Sequence, residues 1–274
     1  MAAIQQQRVF VTGGASGLGK AIALRFASAG FKVCIGDVND ERGKEVEAVL
    51  QSLSPDCFYS YCDVSNEQSI EALKAQLIER WGGVDVVVNN AGVAGTAGAI
   101  DKVSLDDWQW VFNINLFGVV RGVKAFTPLF KNQASGHFVN IASAAGLLSA
   151  PMMSNYNAVK AAVVSLSETM AVELSANNIN TTVVCPAFFE TNLMESMHSE
   201  MAEVDMHGKV NRMMSRSTIT AADIANTIYN AVLNNDFWVV PHKAERRLWV
   251  MKRWLPNLSR KLMAKKLKAL AMAR

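Results

Sequence analysis

Tyr156 and Lys160 stand four residues apart in the run Tyr156-Asn157-Ala158-Val159-Lys160, a spacing that puts a phenol and an ammonium on one face of a helix. A cation beside a phenol favours the phenolate and lowers a pKa that is otherwise about 10, as a general acid/base working near neutrality needs. Ser143 lies thirteen residues upstream, at the carboxyl end of a candidate strand, where its hydroxyl could donate to a carbonyl oxygen as charge develops. Taken alone, the Tyr/Lys pair is equally the signature of an ordinary amphipathic helix with a surface Tyr and Lys. Its weight comes from agreement with other sites in the chain.

The first of these is Thr12-Gly13-Gly14-Ala15-Ser16-Gly17-Leu18-Gly19, between a short apolar run and a helical pattern. Glycines there permit a tight turn, let backbone N–H groups approach a pyrophosphate, and set the phosphates at a positive helix N-terminus. Gly13, Ser16, Gly17, Leu18 and Gly19 are the candidate contacts, and a ligand-free glycine turn is the competing reading. Asp37 ends the second strand candidate. A carboxylate at that point hydrogen-bonds an adenosine ribose 2′-OH and repels a 2′-phosphate. Ala15 and Val38 offer no cation for that phosphate, so NAD is expected over NADP. Asp63-Val64 closes the third strand candidate, well placed for an adenine, and Asn90-Ala91-Gly92 closes the fourth at the sheet edge where open α/β folds bind ligands.

The elements that must position these residues alternate along the chain. Strand candidates fall at 8–12, 32–36, 57–62, 84–89, 137–142, 181–185 and 237–240. Helical periodicity falls at about 17–29, 39–53, 66–80, 105–131, 154–177 and 220–234, with Ser65, Ser104 and Thr220 as caps. Runs such as Val84-Asp85-Val86-Val87-Val88 are apolar on both faces, as a sheet covered on each side requires. Strand and helix in alternation predict an α/β fold with a parallel, doubly wound sheet of seven strands and helices on both faces.

Taken together and in order, TGGASGLG, Asp37, CDV, NNAG, NINLFG, Ser143, YNAVK and PAFFET resemble the short-chain dehydrogenase/reductase family over residues 8 to about 242. The resemblance implies a Rossmann-like fold and a hydride-transfer site with NAD as cofactor. In it, Tyr156 is the acid/base, Lys160 binds the nicotinamide ribose and tunes Tyr156, and Ser143 polarises the carbonyl. Asn115 would hold a water linking Lys160 to solvent; Asn113 does not precede the Leu-x-Gly pattern and is set aside. Pro186, Phe189 and Thr191 carry over as cofactor contacts, although Ala187 stands where the family usually has Gly. The resemblance also makes the helices at 105–131 and 154–177 subunit contacts, so a homodimer or homotetramer is expected.

The 274 residues are half apolar with under a fifth charged, which excludes a disordered chain. Net charge is only +3, yet residues 243–274 hold eleven Lys/Arg against Glu245, leaving −7 for residues 1–242. Four cysteines, with no C-x-x-C spacing, read as buried thiols of a reducing compartment. With no secretory h-region and no long apolar run, a cytoplasmic location is expected. Residues 187–217 form an insertion with Met194, Met197, Met201, Met206, Met213 and Met214, suggesting with Phe188 and Phe189 an adaptable wall for a lipophilic small molecule of steroid, retinoid-like or long-chain acyl class. Methionine stripes are also ordinary core filling. His198 and His207 lack a third ligand, so no metal is expected.

The chain therefore reads as one domain, 1–242, followed by a basic amphipathic extension, 243–274. In the extension Leu248, Met251, Leu255, Leu258 and Leu262 recur at helical spacing, with Pro256 forcing a break. Its apolar face has three readings: contact with an anionic membrane surface, a lid over the insertion, or a partner subunit. No nucleic-acid motif accompanies the charge. Two other functional readings stay open beside the enzyme: an NAD-binding sensor or scaffold without turnover, and a peripheral membrane protein acting mainly through its tail.

Overall fold

The computed structural model describes residues 7–199 and 217–272. Seven parallel strands form the main sheet: Arg8–Thr12 (β1), Lys32–Asp37 (β2), Phe58–Tyr61 (β3), Val86–Asn89 (β4), Gly136–Ile141 (β6), Ile179–Val184 (β7) and Trp238–Val239 (β9). Their spatial order is β3-β2-β1-β4-β6-β7-β9, so the winding reverses between β1 and β4. That reversal leaves a crevice at the carboxyl ends of the strands. The pairing places Thr12 beside Gly36, Val11 beside Val88, Asn89 beside Asn140 and Ile141 beside Val184, which brings the strand exits into one row.

Side-chain alternation along the strands builds two cores. Val9, Val11, Val33, Ile35, Val88 and Ile141 face one side, where Gly17–Ala27 (α1), Asp40–Leu53 (α2) and Ala221–Asn234 (α8) cover them with Ile22, Phe26, Leu50 and Ile228. Phe10, Cys34, Val87 and Phe138 face the other side, beneath Glu67–Trp81 (α3), Phe117–Gln133 (α5) and Ser154–Glu173 (α7), which contribute Leu73, Phe126, Phe130 and Met170. The doubly wound α/β sheet is thus present with both faces closed. All four cysteines are free and buried, and burial pushes the Cys34 and Cys185 thiols upward, so none carries thiolate character near neutrality.

Helix starts follow cap chemistry. Ser104 accepts from Asp107 N–H, and Thr220 with Asp223 forms a capping box. The third helix is capped by Asn66, whose side chain accepts from Gln68 and Ser69 N–H groups, and not by Ser65. The pattern at 105–131 is two helices, Leu105–Asn115 (α4) and α5, interrupted at Leu116. A Cβ on Gly118 would sit 3.0 Å from Val64 Cγ2, so the second helix starts where a glycine lets it approach the β3 exit. Helix α7 ends at Glu173, followed by a 3-10 turn, Ser175–Asn177.

Three further elements lack a sequence signal. A two-stranded parallel pairing joins Thr96–Ala97 (β5) to His198–Ser199 (β8), and a short helix, Ala144–Leu148 (α6), follows β6. Gly146 lets α6 lie against the backbone of Lys160, where a Cβ would come within 2.6 Å. The extension folds as Lys243–Trp254 (α9) and Pro256–Met272 (α10), with the break at Pro256 that its missing N–H and fixed φ favour at a helix start. Among the described residues no helix is long and apolar enough to cross a membrane. Met201, Met206, Met213, Met214 and His207 lie outside the described residues.

Candidate active site

The glycine turn is held from behind by the exit of β4. The Asn90 side-chain amide donates to Thr12 O at 2.9 Å and Gly13 O at 3.0 Å, while Asn90 and Ala91 N–H groups donate to Thr12 Oγ1. Asn90 thus shapes the turn rather than facing the crevice with a free amide. A Cβ on Gly19 would lie 2.1 Å from Gly13 O, and Gly17 adopts φ +52° with Thr191 Oγ1 2.7 Å from where a Cβ would stand. Ser16 makes no side-chain cap at the start of α1, unlike the capped α2, α3, α4 and α8. Uncapped N–H groups at a glycine-lined helix start are what a pyrophosphate requires.

Asp37 closes β2 and accepts from Ala15 N–H at 3.0 Å and Asn39 N–H at 3.1 Å. A carboxylate has room for further donors beyond these two, so a ribose hydroxyl can still be received. Asp63 Oδ1 accepts from Ser65 N–H at 2.8 Å, shaping the turn after β3, and Val64 is buried beside Gly118. Arg42, in the first turn of α2, pairs through Nη1 with Glu195 Oε2 at 3.1 Å, and the Glu195 hydrogen bond and charge raise its pKa, with a smaller contribution from Asp37. Both partners are about half exposed, so the pair is weak and salt-sensitive. Together the glycine cradle, the uncapped helix and the Asp37 carboxylate fit a dinucleotide.

Ser143, Tyr156 and Lys160 meet beyond the exit of β6. All are buried, at 9%, 8% and 4% exposure, and Asn115 is fully enclosed. Ser143 caps α6 by accepting from Ala145 N–H at 3.1 Å and donates to Pro186 O at 3.4 Å, and its hydroxyl lies close enough to the Tyr156 phenol to lower that group's pKa. Lys160 Nζ donates to Ile141 O at 2.9 Å and lies 5.8 Å from the centre of the Tyr156 ring. A Cβ on Gly92 would touch Asn115 Oδ1 at 2.8 Å and Lys160 Nζ at 3.7 Å. The β4 exit therefore touches the same cluster.

The Asn115 amide accepts from Val93 N–H at 2.7 Å and donates to its carbonyl at 2.8 Å, which pins the loop after Gly92 and leaves one N–H and one oxygen lone pair of the amide for other partners. Asn113, set aside from the sequence, accepts from Arg121 Nη2 at 2.7 Å and braces the break between α4 and α5. The Tyr156 phenol is not lowered. Burial pushes it up to about 12, with the Ser143 hydrogen bond pulling the other way. The cause is desolvation of the phenol itself; burial separately drives Lys160 down to about 8, which still leaves it cationic at neutrality.

The shift in Lys160 has a stability consequence of defined sign. A lysine whose folded pKa is below its unfolded value of about 10.4 costs stability in full below pH 8, and the cost is relieved as pH rises from 8 toward 10.4. Wild-type stability minus that of Lys160→Met, measured by urea unfolding at a series of pH values, should rise over that window by up to about 3 kcal/mol. A flat difference would show that Lys160 is not desolvated.

Residues 186–191 cross the crevice from β7. Pro186 O accepts from Ala144 N–H at 2.8 Å, and Thr191 reaches back over Gly17. The Phe189 side chain is buried in the core with the strands covered by α1, so only its backbone is available to a cofactor. His242, which sequence reading missed, accepts from Ala187 N–H through Nδ1 at 3.2 Å and holds this segment from the end of β9. Its signal is tertiary. No spacing in the sequence links residues 187 and 242.

A family model described as short chain dehydrogenase matches residues 7–202. The chain belongs to the short-chain dehydrogenase/reductase family. This dehydrogenase/reductase is 34% identical over 234 residues to a 3beta-hydroxysteroid dehydrogenase of Mediterraneibacter gnavus, covering 80% of this chain and 83% of that protein. It is also 34% identical to the 3-oxoacyl-[acyl-carrier-protein] reductase FabG of Thermotoga maritima, covering 70% of this chain and 78% of the other. Among solved structures, a short chain dehydrogenase/reductase from Burkholderia phymatum in complex with NAD superposes with a TM-score of 0.86 at 30% identity, over 94% of this chain and 96% of that one. The fold and the oxidoreductase class follow from membership. The named substrates of these relatives differ from one another.

Proposed function

We propose that this chain transfers hydride between NAD and the carbon of a secondary alcohol or ketone, with a lipophilic substrate of steroid, retinoid-like or long-chain acyl class. The observation that carries the reading is the buried meeting of Ser143, Tyr156 and Lys160 beside Gly92, on the same strand edge as the glycine turn. When bound, the dinucleotide supplies the hydride acceptor or donor. Ser143 donates to the substrate oxygen, and Tyr156 takes the hydroxyl proton in oxidation or returns it in reduction. Lys160 and residues 186–191 hold the nicotinamide half, while Asp37, Asp63 and Val64 hold the adenosine half.

The preference for NAD rests on Asp37 at the ribose position and on Arg42 being paired with Glu195. Removing that pair frees the Arg42 guanidinium in the first turn of the helix that follows Asp37. Glu195→Gln should therefore shift the ratio of NADPH to NADH dissociation constants toward NADPH by about two- to fivefold, a modest change in keeping with an exposed, salt-screened pair. Fluorescence titration with both cofactors measures it, and an unchanged ratio would remove Arg42 from the specificity argument.

An apolar substrate is supported by the cluster of Ala94, Ala97, Leu193 and Met197 at the β5–β8 pairing, and by similarity to an enzyme named for a hydroxysteroid. A dimer or tetramer through α4, α5 and α7 is supported by exposed Leu105, Phe117 and Val172 on those helices. The test is turnover with NAD and NADP on secondary alcohols of short-chain, steroid and long-chain acyl classes. Turnover with NAD on a bulky apolar member agrees with the reading. Preference for NADP would overturn the role of Asp37, and binding without turnover would favour a sensor.

A further inference from the structure

The inner face of α9 is occupied. Trp249 packs on Trp238 of β9 with ring centres 4.8 Å apart, and Lys252 Nζ donates to Leu147 O at 2.7 Å and Ser149 Oγ at 2.9 Å. At 100° per residue, Glu245, Trp249 and Lys252 fall on that one side. The rest of the circumference has a different composition. Leu248 and Leu255 lie on one flank, Arg246 and Arg253 on the other, with Arg247, Val250 and Trp254 between them on the outer pole. Leu248 and Val250 are each 46% exposed, Leu255 52% and Trp254 80%. On α10, Leu258 and Leu262 are one turn apart and nearly half exposed, whereas Ser259 and Met263 are partly buried.

We propose that residues 243–274 dock the protein on an anionic lipid surface. The large side chains turned outward on α9 and the start of α10 are leucine, valine and tryptophan, interspersed with exposed Arg246, Arg247, Arg253, Arg260, Lys261 and Lys265. With eleven cations against Glu245 in the whole extension, the charge complement is a dense sheet of anions. Lipid headgroups provide that sheet, and the acyl boundary beneath them takes Trp254 and the leucines at the same time. A second copy is the weaker occupant, because the net −7 of the body is spread over 242 residues. The docking does not depend on the hydride-transfer reading. Lys252 nevertheless ties α9 to the end of α6, the helix that Ser143 caps, so a docked chain holds that side of the site toward the bilayer.

The test is co-sedimentation of the full chain with vesicles of phosphatidylcholine alone and of phosphatidylcholine mixed with phosphatidylglycerol. The mixed vesicles should bind at least about tenfold more protein, and the difference should fall with salt. Leu255→Ser with Leu258→Ser and Leu262→Ser should abolish the gain at unchanged Tm and unchanged sedimentation velocity. A second variant, Arg260→Glu with Lys261→Glu and Lys265→Glu, should abolish it independently. Equal recovery with both vesicle types, no recovery with either, or full recovery of both variants would overturn the proposal. Loss of oligomer mass in the serine variant without vesicle binding by the wild type would assign the leucines to a second copy and overturn it as well.

Discussion

Tyr156→Phe should lower turnover by about 10²–10⁴-fold while NADH affinity changes less than about twofold, because a positioned acid/base contributes on that scale and the ring itself is kept. The phenol is buried, lies within hydrogen-bonding reach of Ser143, and is held protonated well above neutrality by its own burial. It can therefore give a proton to a nascent alkoxide without a prior protonation step. Phenylalanine fills the same volume and keeps the packing against Gly95, whose Cβ position lies 3.5 Å from Tyr156 Cβ. A stability loss is thus not the expected cause of lost rate. The check is kcat with the best substrate and NADH titration of the same preparation; retained turnover would remove Tyr156 from the chemistry.

Gly19→Ala should weaken NADH binding by more than about 100-fold and lower stability by about 1–3 kcal/mol. Two effects oppose each other. Alanine in a helix interior gains about 1 kcal/mol over glycine, and Gly19 lies inside α1. Against this, the new Cβ would meet Gly13 O at 2.1 Å, Gly13 C at 2.8 Å and Asn90 Nδ2 at 2.5 Å. Two of these are backbone atoms of the turn itself, so relief requires the turn to open, and opening it moves the N–H groups that would face the pyrophosphate. The steric cost wins. Thermal unfolding and NADH titration of the variant measure both effects, and wild-type affinity would show that the turn does not serve the cofactor.

The parts of the fold legible in sequence were those governed by short-range patterns. Interior parallel strands are apolar on both faces, so β1, β2 and β4 stand out as runs such as Val9-Phe10-Val11. The glycine turn and the Tyr156/Lys160 spacing are local as well. What remained hidden depends on contacts far along the chain or on burial. Two-residue strands such as Thr96–Ala97 have no period, and the Arg42–Glu195 and Ala187–His242 contacts join segments that no spacing connects. The pairing of the Asn115 side chain with the Val93 backbone is a contact that residue type alone does not report. The direction of the Tyr156 shift needed the burial of the phenol itself, which an i, i+4 spacing does not report. In the extension, periodicity announced two faces, but Trp238 and Leu147 decided which one packs inward.

Isotopic labelling tests hydride transfer at the Ser143, Tyr156 and Lys160 cluster. NADH carrying deuterium at both C4 positions is supplied with a lipophilic ketone to the wild type and to Tyr156→Phe. The wild type should give an alcohol with one deuterium on the carbinol carbon, and the variant little or none although it binds NADH. Product without deuterium, or labelled product formed equally by both proteins, would contradict it.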